Sequence, residues 1–190
     1  MPVIGLARTL RRLKPEKHRA RLLRRPDSDL PFVEDARLAG PPLLLDTCVY
    51  LHVLRGKTPD TADALLRSRT LLHSAVAIGE LTNRLGARVP SNDKQRAARS
   101  KLVRAITEIP EHRVIAPSVA MWSEAGVLAG MRARLGGLNK GQEQESLNDA
   151  LILVQARAEG AVVLTENFSD FDLLQQLSPD ARVVFYRTSE

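Results

Sequence analysis

Residues 43–45 are three consecutive leucines that run straight into an acid, Asp46. A continuously apolar run of this length, followed at once by a helical pattern, reads as a short strand buried on both faces. Comparable runs recur at 71–74, 113–116, 161–165 and 182–186, the clearest being 161–165. Between them, helical spacing and its punctuation predict helices over 47–54, 61–68, 75–85, 93–106, 119–135, 146–159 and 171–177. Ser74 and Ser118 are placed to cap two of these, and Gly56, Gly86, Gly136 and Gly160 to stop others. Apolar strands alternating with helices specify an α/β fold, a parallel sheet flanked by helices on both faces. Ligands of such sheets sit beyond the carboxyl ends of the strands.

That rule gives the acids a place. Asp46 ends the first strand, Glu80 lies early in the helix after the second, and Asp149 opens the helix 146–159. Asn167 and Asp170 follow the strand 161–165. Each has an ordinary reading too. Asp46 is a good helix cap. Glu80 could occupy the wet side of a helix whose core face is Ile78, Leu81 and Leu85. Ser146-Leu147-Asn148-Asp149 fits a capping box. Their joint position at one sheet edge favours a cluster, although clustered carboxylates repel unless protonated or bridged by a cation. Oxygen ligands select hard ions, Mg²⁺ or Mn²⁺, and such ions neutralise charge at a phosphoryl group. Phosphodiester hydrolysis follows as the chemistry.

Charge divides the chain. The net charge is +6, yet residues 1–25 hold nine Arg or Lys and one acid, a local +8, while the remainder sums to −2. The chain is therefore read as a basic N-terminal arm and linker, 1–42, followed by a domain, 43–187. Leu6, Leu10 and Leu13 predict a short helix before Pro15, and 26–42 reads as an extended linker. Such an arm either attracts phosphates in a salt-dependent way or is a solvated tail. It also has the Arg-rich, acid-poor character of an organellar transit peptide, but residues 1–25 contain no serine. One cysteine, Cys48, rules out an internal disulfide and fits a reducing, cytoplasmic setting. His52, one turn away, reads as a surface residue and leaves Cys48 without a base. No apolar run approaches the ~18 residues of a membrane span. The segment 138–145 is polar and reads as mobile.

From about residue 43 to 187 the chain resembles PIN-domain ribonucleases, nearest the VapC toxins of bacterial toxin–antitoxin pairs. The resemblance rests on Leu44-Leu45-Asp46-Thr47, on Ser74 through Leu81, on Asn148-Asp149-Ala150-Leu151-Ile152, and on Val163 through Phe171, in this order. It implies a metal site of Asp46, Glu80 and Asp149 and a Mg²⁺- or Mn²⁺-dependent endoribonuclease. Thr165 resembles the hydroxyl that orients an acid there. The family often has a fourth acid two residues after this Thr, where this chain has Asn167; Asp170 is the other candidate. The resemblance further implies an RNA substrate, a small VapB-like antitoxin and a homodimer. Arg84, Arg88 and Lys140 are candidate RNA contacts. The alternatives are a weakened PIN-like module that binds RNA or protein, and a housekeeping RNA-processing nuclease. A phosphoaspartate phosphatase would need an acid where Cys48 stands.

Overall fold

The structure, a computed structural model, describes residues 5–138 and 141–189. Its centre is a five-stranded sheet formed by β1 (Leu43–Leu45), β2 (Leu71–Ser74), β3 (Val114–Ile115), β4 (Val162–Thr165) and β5 (Arg182–Phe185). The order is β3-β2-β1-β4-β5 and each pairing is parallel. Leu43, Leu44, Val163 and Leu164 are completely buried, as continuous apolar strands in a covered sheet must be. The five strands fall where the sequence predicts them, three of them (β3, β4 and β5) shortened by a residue or two at the ends.

The helices are α1 (Leu6–Leu13), α2 (Thr47–Arg55), α3 (Asp60–Ser68), α4 (Ala75–Ala87), α5 (Asp93–Thr107), α6 (Val119–Gly136), α7 (Glu143–Ala158) and α8 (Phe168–Leu177). Ser74 caps α4 and Ser118 caps α6, both through the side-chain oxygen. Gly56 ends α2 at φ +64°, a conformation that only glycine adopts without strain. Helix α7 runs through the sheet's covered face: residues 149–156 are buried without interruption. Its one buried amide, Gln155, accepts from Ser74 Oγ at 2.5 Å and donates to the Ile115 carbonyl at 3.1 Å, tying α7 to the ends of β2 and β3.

Two helices begin three residues earlier than predicted. Helix α7 starts at Glu143, not Ser146, so Ser146 and Asp149 lie inside the helix and do not form a capping box. Glu143 and Glu145 in the first turn suit the positive end of the helix dipole. Residues 143–145, read as part of a mobile segment, are therefore helical. Helix α8 starts at Phe168, not Phe171, because Asn167 caps it by accepting from the Asp170 N–H at 3.2 Å.

From residue 5 onward the N-terminal segment is bound to the domain at several points. Helix α1 packs on α6, where Arg12 pairs with Glu124 and Asp180. Arg134 donates to the carbonyls of Pro15 and His18 at 2.8 Å each, and the Leu22 N–H donates to the Leu135 carbonyl at 2.9 Å. Residues 26–42, read as an extended linker, also carry two 3-10 turns and bury Leu30, Phe32 and Val33. The Phe185 N–H donates to the Pro31 carbonyl at 2.8 Å, and Phe32 packs against Phe185 and Phe168. A solvated tail is thus replaced by a strap, because its apolar residues have a domain surface to cover. No helix among the described residues is long and apolar enough to cross a membrane.

Arg25 anchors the strap most firmly. Its Nε donates to Asp172 Oδ1 at 2.6 Å and its backbone N–H to Oδ2 at 2.8 Å. The Asp172 side chain is 0% exposed and that of Arg25 is 35% exposed. Removing one partner of a fully buried pair costs about 3–5 kcal/mol. With Arg25 part-exposed, and Gln176 still donating to Asp172, Arg25→Ala is expected to cost about 2 kcal/mol. Urea denaturation of the two full-length proteins measures it, and a loss below about 0.5 kcal/mol would show that the strap is not held by this pair.

Candidate active site

Strand β1 is central, and the chain leaves it first toward β2 and later returns to its other side as β4. The crevice where the direction of winding reverses opens beyond the carboxyl ends of β1 and β4. Asp46 stands at this point. Its backbone N–H donates to the Leu164 carbonyl at 3.1 Å, which fixes it against β4. Its side chain does cap α2, accepting from the Thr47 N–H at 2.6 Å through Oδ1. The other oxygen, Oδ2, accepts from Thr165 Oγ1 at 2.6 Å and from Cys48 Sγ at 3.1 Å. Thr165 in turn accepts from the Asn167 N–H at 2.9 Å. The capping reading of Asp46 is realised through Oδ1, while Oδ2 is held by Thr165 and Cys48.

Asp149 approaches from α7, 8% exposed. Asn167 Nδ2 donates to its Oδ2 at 3.2 Å and to Asp170 Oδ2 at 3.0 Å. Glu80 comes from α4. Asn148 Nδ2 donates to its Oε1 at 2.6 Å, and Thr47 Oγ1 hydrogen-bonds its Oε2. Asp170 is drawn outward by an ion pair with the buried Arg132. Among the described residues, none of Asp46, Glu80 and Asp149 forms a salt bridge. The contrast with the other buried acids is direct: Glu124 lies between Arg12 and Arg157, and Asp172 is met by Arg25.

Burial raises the Asp46 carboxyl above its ordinary value, against the lowering effect of its three hydrogen bonds, and the charge of Glu80 adds to the rise. Asp149 is pushed up further, first by burial and then by the charges of Asp46, Asp170, Glu80 and Glu145. Burial also pushes the Cys48 thiol up, so this cysteine is a weak donor to Asp46 and no nucleophile. His52 is not a surface residue: it is half-buried, and its Nδ1 meets the Tyr186 hydroxyl at 2.8 Å.

Five of the predicted site residues thus meet in one hydrogen-bonded system: Asp46 with Thr165, and Asp149 with Asn167 and Asp170 beyond it. Glu80 acts on both buried acids through its charge. Among the described residues, no three His, Cys, Asp or Glu side chains close into a metal cage. Glu80 is held by Thr47 and Asn148, and Asp170 by Arg132. The donor set still fits a hard cation, since two buried carboxylates share a crevice with no base beside either. Thr47, Asn148 and Arg132 are the site-shaping residues that sequence reading missed. Thr47 and Asn148 each adjoin a predicted acid in sequence, and that adjacency was the available signal. Arg84 and Arg88 line a different groove, of about 850 Å³, with Leu51, Leu54, Arg55 and Lys94, and none of the acids borders it. Lys140 lies outside the described residues.

A family model described as the PIN domain matches residues 43–174. The chain belongs to the PIN-domain family. Two solved structures share the PIN fold with it at a TM-score of 0.53 each. One is a chain of VapBC2 from Rickettsia felis bound to a DNA fragment from their promoter, 20% identical, with 76% of this chain and 98% of that chain covered. The other is a chain of FitAcB from Neisseria gonorrhoeae, 22% identical, with 76% and 96% covered. No curated protein matches the sequence. PIN domains are nucleases that generally use divalent ions.

The raised carboxyls have a consequence for stability. A carboxyl whose folded pKa exceeds its unfolded value, about 3.9 for Asp, binds more protons when folded. The metal-free protein therefore loses stability as pH rises from about 4 through the raised folded values. Asp149→Asn removes the largest such group and is expected to melt at a higher temperature than wild type at pH 7 without metal. The gap should close toward pH 4. Thermal melts in chelator at both pH values check this, and a variant less stable at pH 7 would contradict the repulsion.

Proposed function

We propose that this PIN-domain protein is a Mg²⁺- or Mn²⁺-dependent endoribonuclease, and that it serves as the toxin of a toxin–antitoxin pair. The observation that carries the nuclease reading is the pair of buried acids, Asp46 and Asp149, left without a basic partner while the other buried acids are matched to arginines. Asp46 and Asp149 would hold the ion, with Glu80 completing the site. When bound, the ion neutralises charge on the phosphodiester and lowers the pKa of a water molecule.

The chain's own groups do the positioning. Thr165 and the Thr47 N–H hold the Asp46 carboxylate from two sides, fixing its orientation. Asn148 and Thr47 hold Glu80, which in this reading would help orient the attacking water. Asn167 satisfies the outer oxygen of Asp149 and supplies no charge of its own. Arg132 and Asn167 together occupy Asp170, which favours a site with one principal ion over a fully charged pair. The same observation supports a second reading, a weakened module that binds RNA without cutting it.

The toxin role is supported by the structural likeness to chains of VapBC2 and FitAcB complexes. A small antitoxin that enters the acidic crevice with a basic side chain, and a homodimer, belong to this reading.

Cleavage of single-stranded RNA with Mn²⁺ tests it. Asp46→Asn and Asp149→Asn are each expected to lower the rate about a hundredfold or more, and chelation to abolish it. Equal cleavage by wild type and both variants would sink the assignment. Calorimetric titration with Mn²⁺ separates the second reading, for which no binding heat is expected.

A further inference from the structure

Arg21 is one of several basic side chains of the strap with no acidic partner among the described residues, and it lines a pocket. Arg12, Arg24 and Arg25 are each paired with an acid, whereas Arg21 has no hydrogen bond or ion pair among the described residues. It walls a polar pocket of about 560 Å³ whose other polar lining residues are Arg132, Gln142, Asn167, Ser169 and Asp170. Asn167 is common to this pocket and to the acidic crevice, because its amide also donates to Asp149 Oδ2 at 3.2 Å. We propose that Arg21 and this pocket form a subsite for a phosphate of the RNA strand, flanking the scissile position. The inference rests on the reading that RNA lies at the acidic pair.

Three observations carry it. The first is charge. Two guanidiniums face one carboxylate, and that carboxylate, Asp170, is already engaged by Arg132 and Asn167. The positive charge of Arg21 is left over. The second is a spare donor. Arg132 is 6% exposed and lines the pocket, and its Nε–H is buried without a hydrogen-bond partner. A buried guanidinium N–H left unmatched is costly, and an anion oxygen is the natural acceptor. The third is fixation. The Leu22 N–H donates to the Leu135 carbonyl at 2.9 Å, Gln176 donates to the Leu23 carbonyl at 3.0 Å, and Arg134 holds the carbonyls of Pro15 and His18. Arg21 is therefore delivered to the pocket by backbone tied on both sides. A phosphate anchored here would give the strand a second point of attachment beside the crevice, which orients it for in-line attack. The strap thereby supplies a cation that the crevice itself lacks.

The test uses the full-length protein in an Asp46→Asn background, which keeps the strand uncut. Binding of a fluorescein-labelled single-stranded RNA is followed by anisotropy across a salt series, with and without Arg21→Ala. The affinity should fall about tenfold, as for loss of a charge-assisted hydrogen bond, and the salt slope should shrink by about 0.7, one phosphate contact on a single strand. Arg21→Lys should restore the slope. Arg11→Ala, a change at an exposed position of α1, should alter neither quantity. Because Arg21 is exposed, matching melting curves are expected for all variants. Unchanged affinity and slope on Arg21→Ala, or no RNA binding at all, overturns the subsite. Cleavage by the otherwise wild-type protein is scored separately with Mn²⁺. A lost slope together with absent cleavage would leave the subsite standing and remove the nuclease reading, so the two failures are distinguishable.

Discussion

Asp46 and Asp149 carry like charges into the same buried crevice, and much of the surrounding structure can be understood as a response to that. Two such charges 4 Å apart cost about 4 kcal/mol even at an effective dielectric near 20. The fold does not cancel the charge with a base. It distributes donors instead: Thr165, Cys48 and the Thr47 N–H to Asp46, Asn167 to Asp149, and Thr47 with Asn148 to Glu80. Neutral donors hold a carboxylate in place without using up the negative field that a cation would need. An arginine in the crevice would stabilise the empty protein and compete with any ion. Arg132 sits one step away and takes Asp170, the acid that would otherwise add a further like charge.

The topology determines why these residues can meet. Since β1 is central, a side chain just after it is flanked by the ends of both β2 and β4. Strand β4 contributes Thr165 as its last residue, in contact with Asp46, and the cap of α8 follows two residues later as Asn167. Helix α4 springs directly from β2, so Glu80 in its second turn overlooks the same edge. Helix α7 crosses the sheet with eight successive residues buried and reaches the crevice with its N-terminal half. The Ser74–Gln155 and Gln155–Ile115 hydrogen bonds fix how far α7 slides, and with it the height of Asp149 over the strand ends.

The strands and the principal acids were legible because they depend on local pattern. A buried parallel strand must be apolar without a break, and an acid at its end is conspicuous. What was not legible depends on distant partners. Whether Ser146 caps a helix is decided by whether three preceding polar residues can continue the helix, and Ser146 itself is 3% exposed within it. The signal was present in Glu143 and Glu145, which favour a helix's first turn, but the capping-box pattern competed with it. Asn167 was weighed as a substitute ligand, while its spacing to Asp170 also marks the cap of α8. The Arg132–Asp170 and Arg25–Asp172 pairs join residues 38 and 147 apart, and no local rule selects one arginine out of so many.

The basic N-terminal segment changes meaning for the same reason. Counted as charge, residues 1–25 form a +8 block with no evident use for the domain. In the fold the block separates into two populations. Arg12 and Arg25 meet Glu124, Asp180 and Asp172, so part of the domain's negative excess holds the strap, while Arg24 pairs with Asp27 inside the strap itself. Arg187 closes the opposite side by pairing with Asp27 and lying over the Phe32 ring at 4.0 Å. Because these contacts fix the backbone on either side of residue 21, an arginine there needs little further backbone ordering to face the pocket beside Asn167. A free tail could attract phosphate only diffusely. A strap of this kind converts part of the same charge into a cation at a defined position next to the acids.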